Sequence, residues 1–197
     1  MRVFSCCPAC DALEAAEAPA QPARRGLLLG ALAAAAAPLL PSPAVAQVVG
    51  GTRRIGIRRV QTGESVSGIY FRDGRYDREM LRRLDWVMRD PGMEEATPMD
   101  PRLFDVLSTV QQRLDSDETW LVISGYRAPE TNAARARQSR RVSRVSLHMS
   151  GMAADVQLPG RGSMHLARAA ADMQLGGVGL YRRDGFIHLD CGPARRW

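Results

Sequence analysis

The stretch "SLHMSGMAAD", residues 146–155, contains two residues of types that commonly bind metals, His148 and Asp155. Only uncharged residues separate them, and Gly151 lets the backbone between them bend and approach closely. Asp155 has apolar neighbours in "MAADVQL", so its carboxylate is costly to bury unless it has a partner or a metal. From this stretch alone, His148 is either a packed core histidine or half of a metal site with Asp155.

The C-terminal part of the sequence supplies a third candidate ligand. In "FIHLD", His188 and Asp190 stand two positions apart, so in a strand both side chains project from the same face. His148, Asp155 and His188 make a set of two nitrogens and one oxygen, which zinc accepts. Three protein ligands leave a fourth position for water, as in catalytic sites. The remaining histidine, His165, lies in a predicted helix, and we interpret it as a packing or surface residue.

The first 46 residues have the pattern of a cleaved export signal. Arg24 and Arg25 precede an apolar run over residues 27–40, and the small-residue motif "AVA" ends at Ala46. These are the three parts of a signal peptide, and the apolar run is shorter than the ~20 residues that a membrane-spanning helix needs. The paired arginines favour the twin-arginine pathway over the Sec pathway. A buried alanine-rich helix is the alternative interpretation.

Residues 47–197 are then the mature protein, and we expect them to fold as a single domain. They contain no second apolar run of spanning length, so we expect no integral membrane segment. Their one cysteine, Cys191, leaves no pair for an internal disulfide. They carry 24 arginines and 18 acidic residues, and the whole chain has a net charge of +6. A basic exported protein suits a polyanionic surface such as the cell wall, whereas the export signal argues against nucleic acid as a partner.

The hydrophobic periodicity of the mature part predicts an α+β fold, with a small antiparallel sheet flanked by helices. Apolar residues recur at helical spacing over 77–90 and 100–115, where Asp77 and Asp100 are candidate N-caps. Asp73-Gly74, between two strand-like runs, is typical of a hairpin turn. The other predicted elements are helices beginning near residues 128 and 163 and strands at 54–60, 119–127, 153–158, 176–181 and 185–190.

Three blocks of the sequence together resemble one known family. The zinc D-Ala-D-Ala peptidase superfamily, which has the lysostaphin-type metal centre, carries the pattern SxHxxGxAxD. This chain satisfies it with Ser146, His148, Gly151, Ala153 and Asp155. Upstream, "SGYR" resembles the arginine segment of that superfamily. Downstream, "GGVGLYRRDGFIHLDCGPARRW" resembles its branch of MepK-like periplasmic murein endopeptidases, so the resemblance covers residues 55–197.

The resemblance implies a fold and a role for each matching residue. The fold is that of the D-Ala-D-Ala metallopeptidases, also called hedgehog-like, with one zinc ion per chain held by His148, Asp155 and His188. Arg127 matches the arginine that steadies the substrate's carbonyl oxygen as charge develops. Ser146 matches a serine of the substrate site, and we expect Tyr126 of "SGYR" to contact substrate as well. The zinc ion would lower the pKa of a bound water toward ~7.

The general base is where the sequence departs from the family pattern. Many members carry an acid three residues before the last histidine, and this chain has Gly185 there. Asp190 becomes the candidate base because it shares a strand face with His188, and Asp184 is the alternative. Two other roles stay open for Asp190. It is able to accept the second ring N–H of a ligand histidine, or to act as a fourth ligand.

Three functions compete at this point. The first is a zinc endopeptidase that hydrolyses peptides of peptidoglycan in the periplasm, with the D,D or L,D nature of the bond left open. The second is a non-catalytic wall-binding protein that keeps the fold, and the third is a zinc amidase that acts on the sugar–peptide bond. The complete ligand set favours the first, and we expect the protein to be a monomer.

Overall fold

The computed structural model describes residues 51–140 and 142–197. The predicted export signal, residues 1–46, lies outside the described residues, so its cleavage and its pathway stay predictions. Across the described ranges, none of the helices is long and apolar enough to cross a membrane.

One mixed sheet of eight strands organises the described part of the chain, in the order β3-β2-β1-β4-β5-β7-β6-β8. The strands are β1 Arg53–Arg59, β2 Ser65–Arg72, β3 Arg75–Tyr76, β4 Trp120–Ser124, β5 Ala153–Gln157, β6 Gly177–Tyr181, β7 Phe186–Asp190 and β8 Arg195–Arg196. The α+β class is confirmed, but the prediction of a small antiparallel sheet is wrong. The strand pairs β1–β4 and β6–β8 are parallel. Parallel pairing of β1 with β4 is possible because the long segment between them crosses over before it returns to the sheet.

Four α-helices lie in the described ranges: α1 Arg78–Met88, α2 Pro101–Arg113, α3 Pro129–Gln138 and α4 Ser163–Asp172. The predicted caps are confirmed, since the carboxylate of Asp77 accepts the Met80 N–H at 2.9 Å and that of Asp100 accepts the Arg102 N–H at 2.9 Å. The predicted hairpin turn is also present, with Asp73 and Gly74 both at positive φ. A short 3-10 helix over Leu147–Ser150 and strand β8 were not predicted.

The core lies between the sheet and helices α1, α2 and α4. Helix α1 packs on β2, and α2 packs on β1 and β7. The inward face of α2 is fully covered at Leu103, Phe104 and Leu107, as its periodicity predicts. These side chains form one apolar cluster with strand residues such as Trp120 and Ile187. The cluster holds the sheet that carries the polar residues of the site.

The register of three neighbouring strands brings the candidate ligands together. In the antiparallel pair β5–β7, Asp155 stands directly opposite His188. On the other side of β5, Asp155 stands opposite Ser124 of β4. Directly opposed residues of an antiparallel pair have side chains on one face and within contact distance. The register of the sheet alone therefore brings Asp155 and His188 together, without a contribution from any loop.

Truncation of α2 tests this core. Leu107→Ala removes a side chain with 0% exposure, and we expect it to lower the free energy of unfolding by about 2–5 kcal/mol because it leaves a cavity. Urea denaturation followed by circular dichroism measures this change. Val60→Ala is the control, since Val60 is 52% exposed and its loss should cost less than about 0.5 kcal/mol. Equal effects of the two substitutions would contradict the assignment of the core.

Candidate metal centre

Three donor atoms from different elements meet at one point. The distance from His188 Nδ1 to Asp155 Oδ1 is 3.1 Å, and His148 Nε2 lies 3.3 Å from the same oxygen and 3.2 Å from His188 Nδ1. His148 comes from the 3-10 helix, whereas Asp155 and His188 come from β5 and β7. All three side chains are buried. The predicted ligand set is therefore assembled in space. Among the described residues, it is the one group of His, Cys, Asp and Glu side chains whose spacing suits a metal ion.

The far nitrogens of both imidazole rings face hydrogen-bond acceptors. His148 Nδ1 donates to the carbonyl oxygen of Gly125 at 2.8 Å, and His188 Nε2 donates to Asp190 Oδ2 at 3.0 Å. These bonds leave His148 Nε2 and His188 Nδ1 with lone pairs directed at the Asp155 carboxylate. Three lone-pair atoms at such distances repel one another unless a proton or a cation lies among them. The arrangement fits a metal ion, because ligand histidines commonly donate their other ring N–H in this way.

The protonation states of two of the three residues, Asp155 and His148, suit a cation as well. Burial lowers the pKa of His148, with Asp155 opposing this in part. Burial alone would raise the pKa of Asp155, but His148 and His188 hold this pKa well below its usual range. For His188, burial lowers the pKa, and the bonds to Asp155 and Asp190 more than reverse this. Asp155 is thus ionised and His148 neutral at neutral pH, which are the forms that bind metals.

Asp190 occupies a different position from the one that a base needs. Its side chain is fully buried, and Oδ1 accepts the backbone N–H groups of Gly177 and Gly192, each at 2.9 Å. Oδ2 accepts from Arg195 at 2.7 Å and from His188 Nε2, on the side of the ring opposite the nitrogen that faces Asp155. Burial alone would raise the pKa of Asp190, but these donors hold the pKa below its usual range. Its lone pairs are already taken by fixed donors.

Two of the other predicted site residues line the cleft beside the metal centre. Arg127 is buried, and its Nη2 lies 3.6 Å from Asp155 Oδ2. The same guanidinium donates to Asn132 and to the hydroxyl of Ser124, both at 3.2 Å. Ser146 lines the cleft too, and its hydroxyl accepts the backbone N–H of His148 at 3.4 Å as the cap of the 3-10 helix. These contacts connect the arginine segment to the ligand segment.

Tyr126 does not lie where the sequence placed it. Its hydroxyl donates to Glu95 Oε1 at 3.0 Å, its side chain is buried, and it is not among the residues that line the cleft. The structure thus places Tyr126 outside the cleft lining, and its contact with substrate stays a prediction. The reason is alternation of side chains along an extended segment, which sends Tyr126 away from the face that Arg127 occupies.

The remaining predicted residues lie outside the cleft lining. Asp184 is exposed in the turn between β6 and β7, where its N–H donates to the carbonyl of Tyr181 at 3.1 Å. Gly185 follows it at a φ of 73°, which suits glycine in this turn. His165 is exposed on α4 and does not belong to the ligand group, in agreement with its interpretation as a surface residue.

The cleft itself has a volume of about 380 Å³ and includes aromatic side chains that the sequence analysis did not assign. The Trp197 ring lies 5.2 Å from that of His188, and the rings of Tyr181 and Phe186 stack at 4.7 Å. Trp197 occupies the space above Gly179, where an added Cβ would come within 2.6 Å of the indole. Gly179, the second glycine of "GVGLY", was the sequence signal for this contact, because a glycine inside a strand often marks the close approach of another group.

Comparisons with known proteins show which family the chain resembles. The family model described as "Peptidoglycan L,D-endopeptidase MepK", of the M15 peptidases, matches residues 47–197. "Probable peptidoglycan L,D-endopeptidase MepK" of Haemophilus influenzae is 37% identical over 176 residues, which are 88% of this chain and 94% of that protein. "Peptidoglycan L,D-endopeptidase MepK" of Escherichia coli K12 is 39% identical over 176 residues, 88% of this chain and 96% of that protein. No solved structure matches the chain.

Metal binding should distinguish His148, which belongs to the ligand group, from His165, which does not. We expect His148→Ala to lose tightly bound metal, because one of three converging donors is removed, and His165→Ala to keep about one ion per chain. Equilibrium dialysis against Zn²⁺ followed by elemental analysis measures both. Equal metal content in the two variants would contradict the assignment of the ligands.

Proposed function

The chain belongs to the MepK family of peptidoglycan L,D-endopeptidases, and from that premise we propose that it hydrolyses L,D peptide bonds in peptidoglycan with the help of a zinc ion. The observation that carries this proposal is the convergence of His148 Nε2, Asp155 Oδ1 and His188 Nδ1 at 3.1–3.3 Å in the wall of a cleft. Two imidazoles and one carboxylate are a donor set of catalytic zinc peptidases. The hedgehog-like fold name remains a prediction, and the sheet topology is compatible with it.

His148, Asp155 and His188 would hold the zinc ion through the atoms that already face one another. When bound, zinc polarises a carbonyl oxygen as a Lewis acid and lowers the pKa of water toward ~7. The surrounding residues keep the ligands oriented for this purpose. The carbonyl of Gly125 holds the His148 ring, and Asp190 holds the His188 ring.

Arg127 is our candidate for stabilising the oxygen of the hydrolysed bond. It lines the cleft next to Asp155, and its guanidinium stays charged even though burial lowers its pKa. A fixed positive group within a buried wall stabilises negative charge that develops on a carbonyl oxygen, and loss of one such donor typically costs about 10²–10³ in rate. Ser146 holds the 3-10 helix that carries His148, so we assign it a positioning role beside the substrate.

We assign Asp190 the role of positioning residue for His188, in place of the base role that the sequence favoured. Its carboxylate has four donors around it and lies on the outer side of the His188 ring. Among the residues that line the cleft, Asp155 is the carboxylate, and it belongs to the ligand set. Asp184, exposed in the turn outside the cleft lining, is the other candidate base from the sequence, next to the position where many family members carry their acid, and we keep it as the proposal to be tested.

The substrate places the protein in the cell envelope, because peptidoglycan lies outside the cytoplasm. We therefore propose export to the periplasm, with the twin-arginine route and a monomeric state as further predictions. The non-catalytic alternative is disfavoured by the complete ligand set. The amidase alternative is disfavoured by the relatives, which are endopeptidases by name.

Digestion of purified muropeptides tests the function. We expect the zinc-loaded protein to convert dimers cross-linked through L,D bonds into monomers, to leave D,D cross-linked dimers intact and to lose activity with a chelator. Chromatography with mass spectrometry identifies the products, and His148→Ala is the inactive control. Release of peptides from their sugars would instead indicate an amidase, and absence of any product would indicate a wall-binding protein.

The variant Asp190→Asn tests the positioning role. We expect zinc affinity to fall about 10–100-fold, because the His188 ring loses its anionic acceptor. We also expect the cleavage rate to recover when zinc is in excess. Competition with a chromophoric chelator measures the affinity. A variant that binds zinc normally and is nearly inactive would restore Asp190 as the base.

The matched variant is Asp184→Asn, in an exposed turn of the same hairpin. We expect normal zinc affinity, because Asp184 touches none of the ligands, and a rate lowered by 10²-fold or more if the carboxylate takes up the proton. Steady-state cleavage of a synthetic L,D dimer measures the rate. A normal rate would exclude Asp184 from the chemistry.

A further inference from the structure

We propose that the cleft contains a carboxylate-binding subsite at Arg135, which recognises a free carboxylate on the substrate residue next to the hydrolysed bond. This inference rests on the proposed peptidase function and deepens it, since it names the residue that would bind a carboxylate of the substrate. Arg135 lies on α3 and lines the same cleft as the ligand group.

The charges of the cleft lining do not balance. Three arginines line it, and Asp155 is the one carboxylate among the lining residues. Arg195 is neutralised by Asp190, to which it donates at 2.7 and 3.1 Å. Asp155 faces the two histidines, and a bound metal ion would neutralise its negative charge. The positive charges of Arg127 and Arg135 are thus left facing the cleft.

Arg135 has no counter-ion in direct contact among the described residues. Its side chain makes no hydrogen bond and no ion pair within 4 Å with the residues that the structure describes. Asp90 is close enough for Arg135 to help lower its pKa, although burial alone would raise that pKa. The Asp90 carboxylate, however, accepts the backbone N–H groups of Ala128 and Gly92, each at 3.0 Å. An exposed, unpaired guanidinium remains available to a ligand.

Arg127 supplies the second, independent observation. Its side chain is 7% exposed, it lines the cleft, and its Nε has no hydrogen-bond partner. A buried N–H without an acceptor costs free energy unless a ligand satisfies it. Burial lowers the pKa of Arg127, and the nearby charge of Arg135 lowers this pKa further. A carboxylate bound at Arg135 would relieve the repulsion between the two guanidinium groups and accept charge-assisted hydrogen bonds from Arg135.

The test compares two synthetic L,D-linked peptidoglycan dimers with the zinc-loaded protein. One carries a free carboxylate on the residue beside the cleaved bond, and the other carries the amide of that carboxylate. We expect the wild-type protein to show a KM about tenfold lower for the carboxylate, with similar kcat for both. Arg135→Gln should abolish this preference by raising the KM for the carboxylate dimer, with zinc content unchanged.

Arg137→Gln is the matched control, because Arg137 is exposed on the same helix and does not line the cleft. It should keep the wild-type preference. Calorimetric binding of the carboxylate and amide forms of the cleavage product supplies a readout that does not need catalysis. Equal affinity of the wild-type protein for both products, or an unchanged preference in Arg135→Gln, would overturn the subsite. Failure of the wild-type protein to cleave either dimer, together with preferential binding of the carboxylate, would overturn the peptidase function and keep the subsite.

Discussion

The mutual repulsion of three electron-rich atoms is the constraint around which the structure is built. His148 Nε2, Asp155 Oδ1 and His188 Nδ1 lie within 3.3 Å of one another in a buried wall, where they repel one another unless a proton or a cation lies among them. The surrounding contacts oppose this cost. The sheet register sets Asp155 against His188, the Gly125 carbonyl turns one imidazole, and Asp190 turns the other. A cation then turns repulsion into attraction.

The outer supports of the site are as closely specified as the ligands. Asp190 accepts backbone N–H groups from two glycines, at positions 177 and 192, so its carboxylate is fixed before it meets His188. At Gly177, an added Cβ would come within 2.3 Å of the Asp190 carboxylate, which explains a glycine at the start of β6. The Arg195 side chain closes the outer face of the same carboxylate. Through Asp190, β6, the segment after β7 and β8 all act on the orientation of one imidazole.

Much of the site could be predicted from the sequence, but the roles within it could not. Strong periodicity and capping residues identified α1 and α2, and the spacing in "SLHMSGMAAD" and "FIHLD" identified the three donors. Strand-face alternation correctly placed Asp190 beside His188, yet it cannot tell which ring nitrogen the carboxylate meets. That depends on Gly177, Gly192 and Arg195, which are brought in by tertiary contacts. The parallel pairing of β1 with β4 likewise depends on a crossover that local patterns do not encode.

The register of β5 against β7 has a consequence for the order in which the protein acquires its metal. Asp155 and His188 are far apart in the chain and become neighbours only when these two strands pair. Pairing of these strands requires closure of the segment between them, which costs conformational entropy. A metal ion would therefore find its three donors together only after this pair has formed, and it would then stabilise the folded sheet by mass action. A chain exported in the folded state would carry a cytoplasmic ion across the membrane, whereas a chain exported unfolded would take its ion from the periplasm. The export route would thus determine from which compartment the enzyme takes its metal ion.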